Sequence, residues 1–141
     1  MTDNIMIMKG KTALVVEDEQ PLLNAIKIKL GKNGFSVITS RTVNQALGYL
    51  KDIESIDVIW LDHYLLGKED GLDFVAKLKS GNEKWKKIPI FVVSNTAGPE
   101  KMQSYIRLGI NKYYVKAEHR LDEIVNDIKI FLDNSEGKLS E

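Results

Sequence analysis

Five short apolar runs, each followed by a segment of helical periodicity, leave this chain few ways to fold. The runs are Thr12–Val16, Phe35–Thr39, Ile56–Leu61, Ile88–Val93 and Lys112–Val115. The first, TALVV, is nearly continuous in apolar residues, as expected of a strand covered on both faces. Pro21 is placed to open the helix that follows, Leu22, Leu23, Ile26 and Leu30 repeat at helical spacing, and Gly34 marks its stop. Val43, Ala46, Leu47 and Leu50 give a second amphipathic helix, and Leu72, Val75 and Leu78 a third over Asp70 to about Lys79. Pro99 opens a fourth with Met102, Tyr105 and Ile106 turned inward, ended by Gly109. Leu121, Ile124, Val125, Ile128 and Leu132 stripe a fifth.

Strands alternating with helices predict an α/β fold, a parallel sheet with right-handed crossovers and helices on both faces. For one domain of 141 residues the economical arrangement is doubly wound, in the flavodoxin-like strand order 2-1-3-4-5. Such sheets bind ligands beyond the C-terminal ends of strands 1 and 3, so the site is sought there. The domain is expected over residues 11–133, after an N-terminal extension (1–10) and before a polar, disordered tail (134–141).

Composition removes several function classes. Lys and Arg number 20 and Asp and Glu 20, so no broad field draws nucleic acid or anionic lipid. With no Cys there is no disulfide, thiolate metal site or Cys nucleophile, and His63 and His119 are too few for a His-rich zinc centre. No run approaches the ~20 apolar residues of a membrane span. Met1 to Gly10 lacks the basic start of a secretory signal, and a cytoplasmic protein is expected.

The strand ends carry the chemistry. Glu17 and Asp18 follow strand 1, Asp62 follows strand 3, Ser94 follows strand 4 and Lys116 follows strand 5. Singly, each has a plain reading: Glu17, Asp18 or the Ser94-Asn95-Thr96 stretch as helix caps, Lys116 as a surface cation. Together they converge on one rim. Two carboxylates about 4 Å apart repel by roughly 4 kcal/mol at an effective dielectric of about 20. Three so packed call for compensation. Lys116 supplies one charge, and a hard divalent cation such as Mg²⁺ suits carboxylate oxygens. A cation held by so few protein oxygens keeps open positions for a phosphoryl oxygen. Asp62 then serves as nucleophile, with Lys116 and the Ser94 hydroxyl on the transferring group.

The segments LVVEDE, DVIWLD, the Asp70-Gly71 pair, FVVSN and YYVK, in register over about residues 11–133, resemble the receiver domain of two-component response regulators. The resemblance implies Asp62 as phosphoacceptor. It implies Glu17, Asp18, Asp62 and the backbone carbonyl of Tyr64 as ligands of Mg²⁺ (or Mn²⁺), and Ser94 and Lys116 on the phosphoryl group. Ser94 and Tyr113 would be the switch pair, and Tyr64 and Asn95 would tune hydrolysis. It further implies a sensor histidine kinase or histidine phosphotransfer domain as donor. The output face would be fourth helix–strand 5–fifth helix, read by an unidentified downstream protein. The domain would act on itself rather than as a multi-turnover enzyme. With no DNA-binding segment after residue 133, direct nucleic-acid or membrane contact is not expected.

The sequence departs from that family pattern in four places. Glu17 stands where Asp is commoner, Leu66 where Pro is usual, Lys68-Glu69 lengthens the loop before Asp70, and Ala117 replaces the Pro after Lys116. That last change leaves the Lys116–Ala117 peptide open between cis and trans. His63 should point away from Asp62, and Tyr64 to the same side as Asp62. Trp60 reads as core and Trp85 as part of a solvated, lysine-rich loop over Asn82–Lys87. Three rivals share parts of this pattern. A flavodoxin-type cofactor binder needs phosphate-binding amides where Glu17-Asp18-Glu19 stand. A haloacid-dehalogenase-like hydrolase wants a second Asp where Tyr64 stands. A pseudo-receiver would bind partners without phosphorylation.

Overall fold

The computed structural model describes residues 8–95 and 98–140, with side chains to 135. Five parallel strands lie in the order β2-β1-β3-β4-β5. They are β1 Thr12–Val16, β2 Ser36–Ser40, β3 Val58–Leu61, β4 Ile90–Ser94 and β5 Lys112–Val115. The helices are α1 Gln20–Lys32, α2 Val43–Asp52, α3 Gly71–Lys79, α4 Glu83–Lys87, α5 Pro99–Leu108 and α6 Leu121–Ser140. This is the doubly wound order expected from the alternation.

The period of two along each strand splits the core into two layers. Ala13, Val15, Val58, Trp60 and Val93 face α1 and α6, where Leu23, Ile26, Ile124 and Ile128 meet them. Leu14, Val16, Ile59, Leu61 and Val92 face the other side, against Ala46, Leu50, Phe74, Leu78 and Tyr105. Sandwiching explains why β3 and β4 are apolar at nearly every position: both faces are covered.

Four local expectations change. Ile106 is 52% exposed while Tyr105 is fully buried, because one helical step turns a side chain about 100° round the axis. The Asn82–Lys87 loop is a short helix, α4, after Asn82, whose side chain accepts the N–H of Trp85. The polar stretch after 133 continues α6 as far as Ser140. Of the expected extension, Met1 to Ile7 lie outside the described residues. Met8 is already buried, and its N–H donates to Asn33 O at 2.8 Å.

The register then sets the site. Val16 is level with Leu61, Leu61 with Val92, and Ser94 with Val115. One step further, Glu17, Asp62 and Lys116 leave the sheet at the same rim, with the Asp62 N–H still bonded to Val16 O at 2.9 Å.

Candidate metal and phosphoryl site at the sheet rim

Glu17, Asp18 and Asp62 each present a carboxylate oxygen, and these oxygens lie within 4.8 Å of one another. Glu17 and Asp62 are buried, and Asp18 is half-buried. Lys116 reaches into the group: its Nζ donates to Glu17 Oε1 at 3.1 Å and lies 3.6 Å from Asp62 Oδ1. The Lys116–Ala117 peptide is trans, and Lys116–Glu118 forms one 3-10 turn. Asp62 Oδ1 also accepts the His63 N–H at 2.8 Å.

Neither helix-cap reading holds in simple form. The α1 N-cap is Glu19, whose side chain makes no cap bond; Glu17 Oε2 instead accepts the Glu19 N–H at 3.2 Å. Ser94 is the buried last residue of β4, and α5 begins four residues later at the N-cap Gly98. Thr96 lies outside the described residues. Asn95 is exposed, and Tyr113 is half-buried on β5. Tyr64 is 48% exposed, and its hydroxyl accepts from Lys101 Nζ at 2.9 Å. Both ring nitrogens of His63 meet partners outside the Glu17-Asp18-Asp62 group: Nδ1 is 2.6 Å from Tyr105 Oη, and Nε2 is 3.6 Å from Asp70 Oδ2.

A family model, the response regulator receiver domain, matches residues 13–129. The chain belongs to that family. It is 24% identical over 103 residues to chemotaxis protein CheY1 of Helicobacter pylori strain J99, covering 73% of this chain and 82% of that protein. The phosphate regulon transcriptional regulatory protein PhoB of Pseudomonas aeruginosa is 28% identical over 109 residues, 77% of this chain and 46% of PhoB. Among solved structures, the phosphorylated cyanobacterial phytochrome response regulator RcpA superposes with a TM-score of 0.77 at 27% identity, over 89% of this chain and 95% of that one. The Mn²⁺-bound response regulator Rcp1 gives 0.74 at 24%, over 86% and 93%. Receiver domains work opposite histidine kinases and bind a divalent metal, and the donor set on this receiver's rim suits a hard cation.

Two further residues brace the receiver site. Arg41, just past β2, donates from Nε and Nη2 to Asp18 O at 3.0 and 2.6 Å, fixing the acidic pair's backbone. Gly71, at the start of α3, packs against the segment that follows β3. A Cβ there would sit 2.2 Å from Tyr105 Oη and 3.0 Å from Asp62 O. The Asp70-Gly71 pair thus has two jobs. Asp70 caps α3 through a reciprocal box with Asp73, and Gly71 lets that helix end approach.

Burial pushes the Asp62 carboxyl up to about 7, reinforced by the Glu17 and Asp18 charges and opposed by Lys116 and the His63 N–H. Glu17 is likewise raised, chiefly by burial, against the pull of Lys116. Burial lowers His63, aided by Lys101 and opposed by Asp70 and Asp73, so its ring is neutral near neutral pH.

Two predictions follow from this geometry. Between an unfolded value near 3.8 and a folded value about 7, the folded chain holds more protons at Asp62 than the unfolded chain does. Metal-free protein therefore loses stability as pH rises through that window. Thermal melts across it should show the decline, and Asp62→Asn should lessen it, leaving the part due to Glu17. Gly71→Ala should cost about 1–3 kcal/mol in chemical denaturation, the range for overpacking a filled site.

Proposed function

We propose that this receiver takes a phosphoryl group from phosphohistidine onto Asp62. The supporting observation is the group of three carboxylates on one rim with the Lys116 ammonium among them. Glu17, Asp18, Asp62 and the Tyr64 carbonyl are the residues to hold Mg²⁺ or Mn²⁺; bound there, the ion offsets charge on the carboxylates and the phosphoryl oxygens. A carboxylate oxygen of Asp62 bonds to phosphorus as the phosphorus–nitrogen bond of the donor imidazole breaks, and imidazole leaves with that electron pair. Lys116 neutralises charge on the phosphoryl oxygens, and the Ser94 hydroxyl donates to one of them.

The donor is a sensor histidine kinase or a histidine phosphotransfer domain, which places the protein in the cytoplasm. Once Asp62 carries phosphate, Ser94 is drawn toward it and Tyr113 turns inward, shifting the α5–β5–α6 face between two populations that a downstream protein reads. Tyr113 starts half-buried, its ring 5.7 Å from that of Tyr105. Tyr64 and Asn95 flank the path of attacking water and tune hydrolysis. With zero net charge, the output passes through protein contact rather than through nucleic acid or membrane.

Acetyl phosphate with Mg²⁺ should add one acid-stable, base-labile phosphate, mapped by peptide analysis to Asp62. Asp62→Asn should abolish it, and labelling that persists in this variant would refute the assignment. A folded wild type that takes no phosphate would be a pseudo-receiver. Mg²⁺ should also raise the melting temperature, by the equivalent of about 2.7 kcal/mol at a hundredfold excess over Kd. Asp18→Asn should remove most of that rise.

A further inference from the structure

Two residues on one face of α5 hold two consecutive residues just beyond Asp62. Lys101 Nζ donates to the Tyr64 hydroxyl at 2.9 Å and stands 4.6 Å from its ring centre. One helical turn on, Tyr105 Oη lies 2.6 Å from His63 Nδ1. The two holds differ in kind. The first is exposed, and water and salt compete for it. The second is buried at both partners, Tyr105 at 0% and His63 at 5% exposure, where no water competes.

The buried hold ends on the reacting group. The His63 N–H donates to Asp62 Oδ1 at 2.8 Å, and its C=O accepts the Gly71 N–H at 2.9 Å. The Tyr105 hydroxyl occupies the space a side chain at Gly71 would need. A displacement of α5 therefore has to break this hydrogen bond or carry His63 with it. Carrying His63 moves an amide bonded to Asp62 and the chain leading to the Tyr64 carbonyl.

The geometry points to Tyr105 as a positioning residue for the phosphoacceptor segment, acting through His63. This rests on the phosphoacceptor reading above and adds a second route to the switch face. The Ser94–Tyr113 route runs through the segment after β4; this one runs through the segment after β3. Because coupling between two sites is reciprocal, a change at Asp62 biases the seating of α5, and a partner on α5 biases Asp62 by the same factor.

The test has two arms, both on the full chain. The first is hydrogen exchange without metal or donor. In Tyr105→Phe, which keeps the ring, amides of 63–66 and of 100–108 should both exchange faster. His63→Leu should reproduce this. His63→Asn, which keeps a polar atom near the Nδ1 position, should stay close to wild type. Faster exchange in α5 alone, or in neither segment, overturns the tie. The second arm measures uptake and loss of phosphate with acetyl phosphate and Mg²⁺. Tyr105→Phe and His63→Leu should each change one of these rates by about fivefold or more, the lower end of typical coupling, with rescue in His63→Asn. The double variant should add little to either single one. Unchanged rates in a labelled Tyr105→Phe overturn the positioning role. If wild type takes no phosphate, the phosphoacceptor reading falls, and the first arm still decides the tie.

Discussion

A single ammonium set against three carboxylates governs this molecule. Lys116 stands between Glu17 and Asp62, with its side chain only 15% exposed, so little solvent screens the charges around it. One positive charge cannot balance three negative ones. Burial first, and at Asp62 the neighbouring carboxylates second, raise the Asp62 and Glu17 carboxyls, while Lys116 pulls both the other way. Three carboxylate oxygens so close together form a donor set that suits a hard cation. The sheet order makes this unavoidable: with β1 beside β3 and the strands parallel, residues 17 and 62 must leave the sheet together.

Much of this was legible in the sequence because it follows from period and order. Apolar strands and striped helices give the layers, and the layers give the rim. The acidic residues and the lysine fell where the topology placed them. What escaped was either too short, too polar or too distant in sequence. Helix α4 has five residues, three of them Lys, and no repeat long enough to show a period. The end of α6 has no apolar stripe beyond Leu132, and continues because adding a residue to an existing helix is far easier than starting one. Arg41 braces Asp18 from a neighbouring strand, a contact no spacing announces. Tyr105 was readable as an inward-facing residue of its helix. That its hydroxyl meets His63, 42 residues away, was not.

The departures from the family pattern fall where the geometry can absorb them. Glu17 carries one more methylene than Asp, and its two oxygens are both used: one meets Lys116, the other the Glu19 N–H. Ala117 follows a trans peptide, yet the 3-10 turn at Lys116–Glu118 still leaves the ammonium among the acids. The longer loop before Asp70 turns at Gly67, at a φ of 92° that suits glycine, after the Leu66 N–H bonds to Arg41 O. Asp70 and Gly71 thereby keep their places under His63 despite the extra residue. The chemistry places its demand on where oxygens and the ammonium lie, not on which residue types bring them there. A chain that meets the demand by different covalent routes keeps the arrangement of oxygens and ammonium while changing what surrounds it. Here the changed surroundings are the first residue of the acidic pair, the loop before Asp70 and the turn after Lys116.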